Sequence, residues 1–214
     1  MLWRARANSS WTCREFLVED FCLVQLIKSR DYVRKPWKNG GGILADIAMA
    51  PDGAGLDAFD WRISTAHVGM DGPFSLFPGI DRSMVILGGE GMRLDIAGQP
   101  PVVLGTMSDA HSFPGDAATH ATLTAGPVDD LNVMTKRGHF SHTMQRERLA
   151  GARTIAPAPG GVIVVYVEAG TITTREDKAM IAAAGDTLVF RIPTLLSAAP
   201  NTTCCIIDIK NIEP

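Results

Sequence analysis

Residues 83–96, Ser-Met-Val-Ile-Leu-Gly-Gly-Glu-Gly-Met-Arg-Leu-Asp-Ile, carry the clearest signal of the fold. Ser83–Leu87 is an apolar run, Gly88–Gly91 is rich in glycine, and Met92–Ile96 alternates apolar with charged side chains. Alternation with a period of two is typical of a β-strand that buries one face. We therefore predict a β-hairpin with its turn at the glycines.

The same design occurs again in the C-terminal half of the chain. Val162–Val167 is an apolar run, and the alternating Thr171–Thr173 follows it after Ala169 and Gly170. Each copy is followed by a Gly-Asp step, at Gly115-Asp116 and at Gly185-Asp186. This internal repeat predicts a mostly β fold made of two antiparallel barrels or jelly rolls, an architecture that includes the cupins.

The join between the two copies is predicted between about 145 and 160, where a polar stretch meets the Pro157–Gly161 breaker. Helical spacing is scarce, and the one helix predicted lies over Glu15–Leu26. Cys204 and Cys205 are adjacent, so on a strand their thiols are expected to point to opposite faces.

Composition limits the function classes. The 214 residues are 46% hydrophobic and 20% charged, with a net charge of -3, which does not favour nucleic-acid binding or disorder. The apolar runs are shorter than the ~20 residues of a membrane span, and the N-terminus lacks the apolar core of a secretory signal. A cytoplasmic protein with no nucleic-acid or membrane partner is expected.

The glycine-rich stretch Pro36–Gly42 has two interpretations. Three consecutive glycines from Gly40 onward form either a structural turn or an anion-binding loop. Lys38 would supply charge, Asn39 a donor and an acceptor, and Trp37 a flat apolar wall. The spacing matches neither a Walker A loop nor a dinucleotide fingerprint.

Further candidate ligand-binding residues follow on later strands. Arg62 and Ser64 share the small, polar face of the predicted strand Trp61–Val68, so Arg62 either lines a cavity, where its donor fork fits a carboxylate, or faces solvent. Asp81 and Arg82 either line the same cavity or form a local ion pair. His120 is either an acid or base in a pocket or an ordinary histidine.

Metal and nucleophile motifs are missing. The histidines at 67, 111, 120, 139 and 142 form no HxH pair with a suitable downstream carboxylate. No GxSxG elbow and no Cys/His arrangement indicates covalent catalysis. We therefore expect no bound metal and no cofactor, and we single out no residue as catalytic.

Several ordered motifs resemble the HutD/Ves family. The likeness runs from about Phe21 to the C-terminus. The motifs that carry it are Pro36–Gly42, Trp61–Ser64, Gly72–Ser75, Phe77–Arg82, Phe113–Asp116 and Asp130–Gly138. The chain departs from the family pattern after the glycines, where Leu44 and Asp46 replace the usual threonine and glutamate.

The resemblance implies a bicupin of two RmlC-like jelly-roll β-barrels, encoded with histidine-utilisation genes, that senses or buffers a pathway intermediate. The expected organisation is an N-terminal extension over 1–20, a first barrel over 21–150 and a second over 151–214, with possible strand exchange between them. Ser75 and Phe77 stand where a metal-binding cupin would need imidazoles, so the resemblance also implies metal-free barrels.

The function expected from these features is non-catalytic binding of a small carboxylate, with urocanate or formylglutamate as the ligands that the resemblance implies. The alternative is a metal-independent epimerase or isomerase acting on a small carboxylate or sugar, with His120 or Asp81 as general base. A third interpretation, a structural or interaction protein, would follow if side chains packed the first barrel solidly. A homodimer is expected because cupins pair through edge strands.

Overall fold

The computed structural model describes residues 23–37, 40–175 and 179–212, and within these ranges the chain is almost entirely β-structure. Its only helical element there is a short 3-10 turn at Ser29–Asp31. The strands are β1 (Val24–Ile27), β2 (Val33–Pro36), β3 (Gly42–Ala50), β4 (Trp61–Val68), β5 (Gly72–Pro73), β6 (Ile80–Gly88), β7 (Met92–Ile96), β8 (Val102–Leu104), β9 (His111–Pro114), β10 (Thr119–Leu123), β11 (Val128–Lys136), β12 (Phe140–Ile155), β13 (Val162–Ala169), β14 (Thr171–Thr174), β15 (Ile181–Ala183), β16 (Thr187–Phe190) and β17 (Thr194–Asn211).

The strands form two jelly-roll β-barrels, as the sequence predicts. In the first, a six-stranded sheet of order β2-β3-β4-β11-β6-β9 faces a four-stranded sheet of order β5-β10-β7-β8. The second is a seven-stranded sheet of order β1-β16-β13-β17-β14-β15, with β12 paired to β17. The helix predicted over Glu15–Leu26 is wrong in its described part, since Val24–Ile27 pairs as a strand with β16; residues 15–22 lie outside the described ranges.

One sheet contains strands from both ends of the described chain. Strand β1 lies at the edge of the second barrel's sheet, although β2 and β3 belong to the first barrel. This N-terminal segment is hydrogen-bonded to the turn around Asp186. The side chain of Lys28 and the backbone N–H of Ser29 donate to the Asp186 carboxylate, and the Tyr32 hydroxyl donates to the backbone carbonyl of the preceding residue. The second barrel's sheet therefore takes residues 24–27 and then residues from 140 onward.

The predicted hairpin at Gly88–Gly91 is wrong. Strand β6 pairs with β11 and β9, whereas β7 pairs with β10 and β8, so the chain passes from one sheet to the other at these glycines. Gly89 and Gly91 have φ angles of +89° and +102°. A Cβ atom would lie 2.4 Å from the Pro127 carbonyl oxygen at Gly89 and 2.3 Å from the Leu104 carbonyl oxygen at Gly91. This segment is therefore a tight corner between two sheets.

The second copy changes partners in a comparable way. Strand β13 pairs with β16 and β17, while β14, which follows Gly170, pairs with β15 and another part of β17. The repeat found in the sequence is thus a repeat of strand, corner and strand. Its two Gly-Asp steps have different partners, because Asp116 binds Arg137 and Asp186 binds the N-terminal segment.

The two barrels have different interiors. The second is filled by apolar side chains, including Phe190, Leu188, Ile172 and Leu196, each 0% exposed. Cys204 belongs to this interior, whereas its neighbour Cys205 packs into a separate apolar layer between the barrels, so the predicted opposite orientation of the two thiols is confirmed. The first barrel combines an apolar region with buried polar residues. Within the described part of the chain, no helix has the length and hydropathy that a membrane crossing requires.

Candidate functional site

Buried polar side chains occupy one end of the first barrel's interior. Arg62 on β4 and Arg82 on β6 lie in one row, on either side of Met134 on β11. Ser64 and Asn132 lie opposite each other in the next row. Because adjacent strands are ~4.8 Å apart, the two arginine backbones are separated by about 10 Å. Only 3% of Arg62 and 6% of Arg82 is exposed, so the barrel buries two cations close together.

Arg62 has a charged partner. Its Nε donates a hydrogen bond of 2.8 Å to Oδ1 of Asp46 on β3, and its Nη2 contacts the same oxygen. Lys35 Nζ lies 3.3 Å from the other oxygen of Asp46 and is largely exposed. Asp46 therefore neutralises Arg62 and links the barrel interior to the surface.

Arg82 is less completely satisfied. Its Nη2 donates a 3.0 Å hydrogen bond to Oδ1 of Asn132, but its buried Nε has no hydrogen-bond partner among the described residues. The guanidinium carbon lies 5.0, 5.1 and 5.8 Å from the ring centroids of Phe113, Phe74 and Phe77. These rings stabilise the cation through their negative faces but cannot accept the Nε proton as a carboxylate oxygen would.

The charge state of Asp130 sets the net charge of this cluster of buried polar residues. Burial raises the pKa of Asp130 to about 7, against the opposing effects of the Arg82 charge and of a hydrogen bond from Asn132 Nδ2. Burial also lowers the pKa of Arg82 to about 10, and Arg62 acts in the same direction against the favourable charge of Asp130. Arg82 therefore stays charged at neutral pH. When Asp130 is protonated, the two guanidinium groups are left with a single carboxylate partner, Asp46.

A second unpartnered atom faces the same interior. His111 on β9 pairs in register with Met84, one row from the pair formed by Arg82 and Phe113. Its ring stacks near Phe113, with centroids 6.2 Å apart and planes inclined by 24°. The buried Nε2 has no hydrogen-bond partner within the described ranges. Burial lowers the pKa of His111, so its neutral ring can donate or accept a hydrogen bond according to its tautomer.

The predicted glycine loop lies at the other end of this barrel. Gly42 pairs with Val68, six residues along β4 from Arg62, a separation of about 20 Å at the usual strand rise. Trp37 packs over Gly42, where a Cβ would lie 3.1 Å from the indole ring, and Gly40 donates a backbone hydrogen bond to Trp37. Trp37 and Gly40 thus form a turn away from the arginines. The predicted ligand residues Lys38 and Asn39 lie outside the described residues.

Asp81 and His120 also lie apart from the arginines. Asp81 and Arg82 project to opposite faces of β6, so the local ion pair considered for them does not form. Asp81 instead accepts a 2.8 Å hydrogen bond from Arg137. His120 is exposed on β10, opposite Asp95. Of the predicted site residues, the structure brings together Arg62, Ser64 and Arg82.

The sequence analysis missed the groups that set the charge and polarity of this cluster. Asp130 and Asn132 alternate within an apolar strand, a pattern that places both on one face and could have identified them. Asp46 was noted only as a departure from a family pattern, and its pairing with Arg62 depends on strand register. No sequence pattern around His111 would have identified it as a residue of this site. No three or more His, Cys, Asp or Glu side chains in the described ranges converge as a metal site would require.

Comparisons with known proteins identify one family model and two similar curated proteins. The family model HutD matches residues 29–206. An uncharacterised 21.2 kDa protein in the hutC 3′ region of Pseudomonas putida is 41% identical over 111 residues, which are 52% of this chain and 57% of that protein. Protein Ves of Citrobacter koseri is 37% identical over 102 residues, 47% of this chain and 52% of that protein. The chain thus spans about half the length of the curated relatives it matches.

Solved structures share the architecture of most of the chain. A conserved protein of unknown function from Pseudomonas aeruginosa PAO1 superposes with a TM-score of 0.79 at 29% identity, covering 88% of this chain and 99% of that one. HutD from Pseudomonas fluorescens SBW25 gives 0.75 at 26% identity, covering 89% and 100%. YlbA from Escherichia coli, at 10% identity and 0.68, covers 89% and 92% and shows the cupin-like fold alone. Because the HutD model matches most of its length, the chain belongs to the HutD family.

Proposed function

We propose that this protein binds a small carboxylate in the first barrel, beside Arg82. The observation that carries the proposal is the buried Nε of Arg82, which has no partner among the described residues. An unsatisfied buried donor costs about 1–3 kcal/mol, and more when the group is charged. A carboxylate would supply the missing acceptor and balance the excess positive charge of the cluster. Charge-assisted hydrogen bonds of this kind are the strong ones in proteins.

The position of His111 adds a second requirement for the ligand. Its Nε2 is unpartnered, the residue lies one row of the sheet from Arg82, and the Phe113 ring is close to both side chains. A ligand with a carboxylate at one end and a neutral hydrogen-bonding group at the other would satisfy both atoms. The half-buried rings of Phe74 and Phe77 cover Arg82, so a ligand reaches it when these rings turn aside.

Membership of the HutD family, with a relative in the hutC 3′ region, supports intermediates of histidine degradation as the ligands. Urocanate carries a carboxylate and an imidazole, and formylglutamate carries carboxylates and a formamide group. In this proposal the protein binds one of them without converting it and modulates the pathway. The candidate general bases Asp81 and His120 lie outside the arginine cluster, which supports binding over epimerisation or isomerisation.

The direct test is calorimetric titration with N-formylglutamate and with urocanate. Arg82→Gln is expected to weaken the binding of the true ligand by about 10- to 100-fold, because a charge-assisted hydrogen bond contributes about 1.5–3 kcal/mol. Arg93→Gln is the matched control, since Arg93 is an exposed arginine of the same barrel that pairs with Asp95. Equal weakening by both variants, or no binding of either compound to the unmodified protein, would reject the proposal.

The affinity for N-formylglutamate is expected to fall as the pH rises from 6 to 8.5. Asp130 ionises near pH 7, and its new negative charge then faces Arg82 and Asn132, with Asp129 adjacent in sequence. One elementary charge at roughly 10 Å and an effective dielectric constant of about 20 weakens anion binding on the order of tenfold. Titrations across this range should show the decrease in the unmodified protein and a flat profile in Asp130→Asn. A flat profile in both proteins would contradict the assignment.

A further inference from the structure

A cleft of about 350 Å³ lies on the opposite side of β6 from the arginine cluster. It is formed where β6, β9 and β11 of the first barrel meet β12 of the second. Its side-chain hydrogen-bonding groups are Asp81, Ser83, Ser112, Thr135, Ser141 and His142. Arg82 and Phe113 also border the cleft, but strand alternation directs their side chains to the barrel interior, where the Arg82 guanidinium contacts Asn132 and the Phe113 ring. The volume falls within the usual range for small-molecule sites. Because Ser83 follows Arg82 on one strand, this cleft and the arginine cluster face different sides of the same sheet.

Four of these groups form one continuous hydrogen-bonded chain. Thr135 Oγ1 lies 2.7 Å from Nδ1 of His142, and Nε2 of His142 lies 2.8 Å from Oγ of Ser83. Ser83 Oγ is in turn 2.7 Å from Oγ of Ser112. Thr135 and Ser83 are buried, whereas Ser112 is exposed on the edge strand β9. The chain therefore begins in the core and ends at the cleft.

The hydrogen-bonded series Thr135–His142–Ser83–Ser112 carries no net charge. Burial lowers the pKa of His142 to about 4, against a smaller opposing effect of the Asp81 charge, so the imidazole is neutral at physiological pH. Arg137 donates a 2.8 Å hydrogen bond to Asp81 and offsets the one carboxylate of the cleft. The side chains that project into the cleft therefore provide hydrogen bonds without an excess of either charge, since the guanidinium of Arg82 lies on the interior side of β6. This balance disfavours an ionic ligand.

The hydrogen bonds of this series can run in either of two directions. With Nδ1 of His142 protonated, Ser83 donates to Nε2 and Ser112 donates to Ser83, so the Ser112 oxygen offers lone pairs to the cleft. With Nε2 protonated, every bond reverses and Ser112 can donate its proton into the cleft. A change of tautomer thus converts Ser112 from an acceptor to a donor. A ligand hydroxyl, which both donates and accepts, suits such a group.

We propose that this cleft is a second binding site, for an uncharged hydroxyl-bearing small molecule of the polyol or sugar type. Ser112 contacts a ligand hydroxyl, and His142 adjusts the direction of the hydrogen-bonded chain to match it. The site is distinct from the carboxylate site, because the Arg82 residue that borders the cleft directs its guanidinium to the other face of β6, toward Asn132 and the phenylalanine rings.

The test is nuclear magnetic resonance of ¹⁵N-labelled protein titrated with methyl α-glucopyranoside and with glycerol. Either probe is expected to shift the ring nitrogens of His142, reporting a changed tautomer population, together with the backbone amides of Ser112 and Ser83. Ser112→Ala should abolish the response of the His142 ring. Thr143→Ala is the matched control, because Thr143 is an exposed neighbour of His142 on β12 and projects to the other face.

Three outcomes would overturn this proposal. The first is an unchanged His142 ring at saturating concentrations of both probes. The second is the same response in Ser112→Ala as in the unmodified protein. The third is a response of these signals to N-formylglutamate in place of the neutral probes, which would make the cleft an anion site. Failure of carboxylate binding at Arg82 would leave the neutral-probe result unaffected, so the two proposals fail separately.

Discussion

Replacing Asp46 by alanine is expected to lower the free energy of unfolding by about 3–5 kcal/mol. The variant leaves the guanidinium of Arg62, which is 3% exposed, without its carboxylate partner. A buried charge that loses its partner keeps the full penalty of removal from water. The structure indicates no substitute, because burial raises the pKa of Asp130 and favours its neutral form, and Lys35 carries a like charge. Urea denaturation at pH 6.5 gives the measurement.

Two further variants separate the loss of charge pairing from a general effect of mutation. Asp46→Ala combined with Arg62→Met removes both charges while retaining apolar volume, so it is expected to recover much of the lost stability. Asp95→Ala breaks the exposed pair with Arg93 in the same barrel and is expected to change stability little. If Asp46→Ala were no more destabilising than Asp95→Ala, Arg62 would not depend on Asp46 for its burial.

Phe190→Ala is expected to destabilise the protein by about 3–5 kcal/mol, because it opens a cavity in the apolar interior of the second barrel. Phe190 is fully buried there, beside Ile163 and Leu188. Under conditions where this variant remains folded, its affinity for the carboxylate ligand should match that of the unmodified protein, because the arginines lie in the other barrel. Denaturation and calorimetry on one sample measure both quantities.

Leu195→Ala serves as the control for that experiment. Leu195 lies on β17 of the same barrel but is 40% exposed, so its removal leaves no enclosed cavity and should have a much smaller effect. A large loss of carboxylate affinity in folded Phe190→Ala would show that the second barrel takes part in binding. A small change in stability would show that its interior rearranges to fill the space.

The fold was largely predictable because alternation along a strand is a local property. The pattern at Trp61–Val68 correctly placed Arg62 and Ser64 on one face, and the repeated design correctly indicated two barrels. The family resemblance drawn from ordered motifs is confirmed by the model match over residues 29–206. Strand pairing was harder to predict from the sequence, because a glycine turn after Leu87 fits a hairpin and a sheet-to-sheet corner equally well. Close backbone contacts with Pro127 and Leu104, which are distant in the sequence, decide between the two.

The candidate site was only partly predictable for a related reason. Arg62 and Arg82 could be singled out because arginine is unusual on a buried strand face. Their partners come from other strands: Asp46 reaches Arg62 through the register of β3 and β4, and Asn132 reaches Arg82 through that of β11 and β6. The glycine stretch was grouped with Arg62 from its residue types and from the family resemblance, whereas strand length places Trp37 and Gly40 at the far end of the barrel.

The position of strand β1 has a consequence for how the protein forms during synthesis. Val24–Ile27 is synthesised before its partner Thr187–Phe190, which follows about 160 residues later. At a translation rate of ~5–20 residues per second, β1 waits roughly 10–30 seconds for β16. All strands of the first barrel, from β2 to β11, are synthesised before β16. The pairing of the N-terminal strand with β16 is thus a late and long-range step of folding.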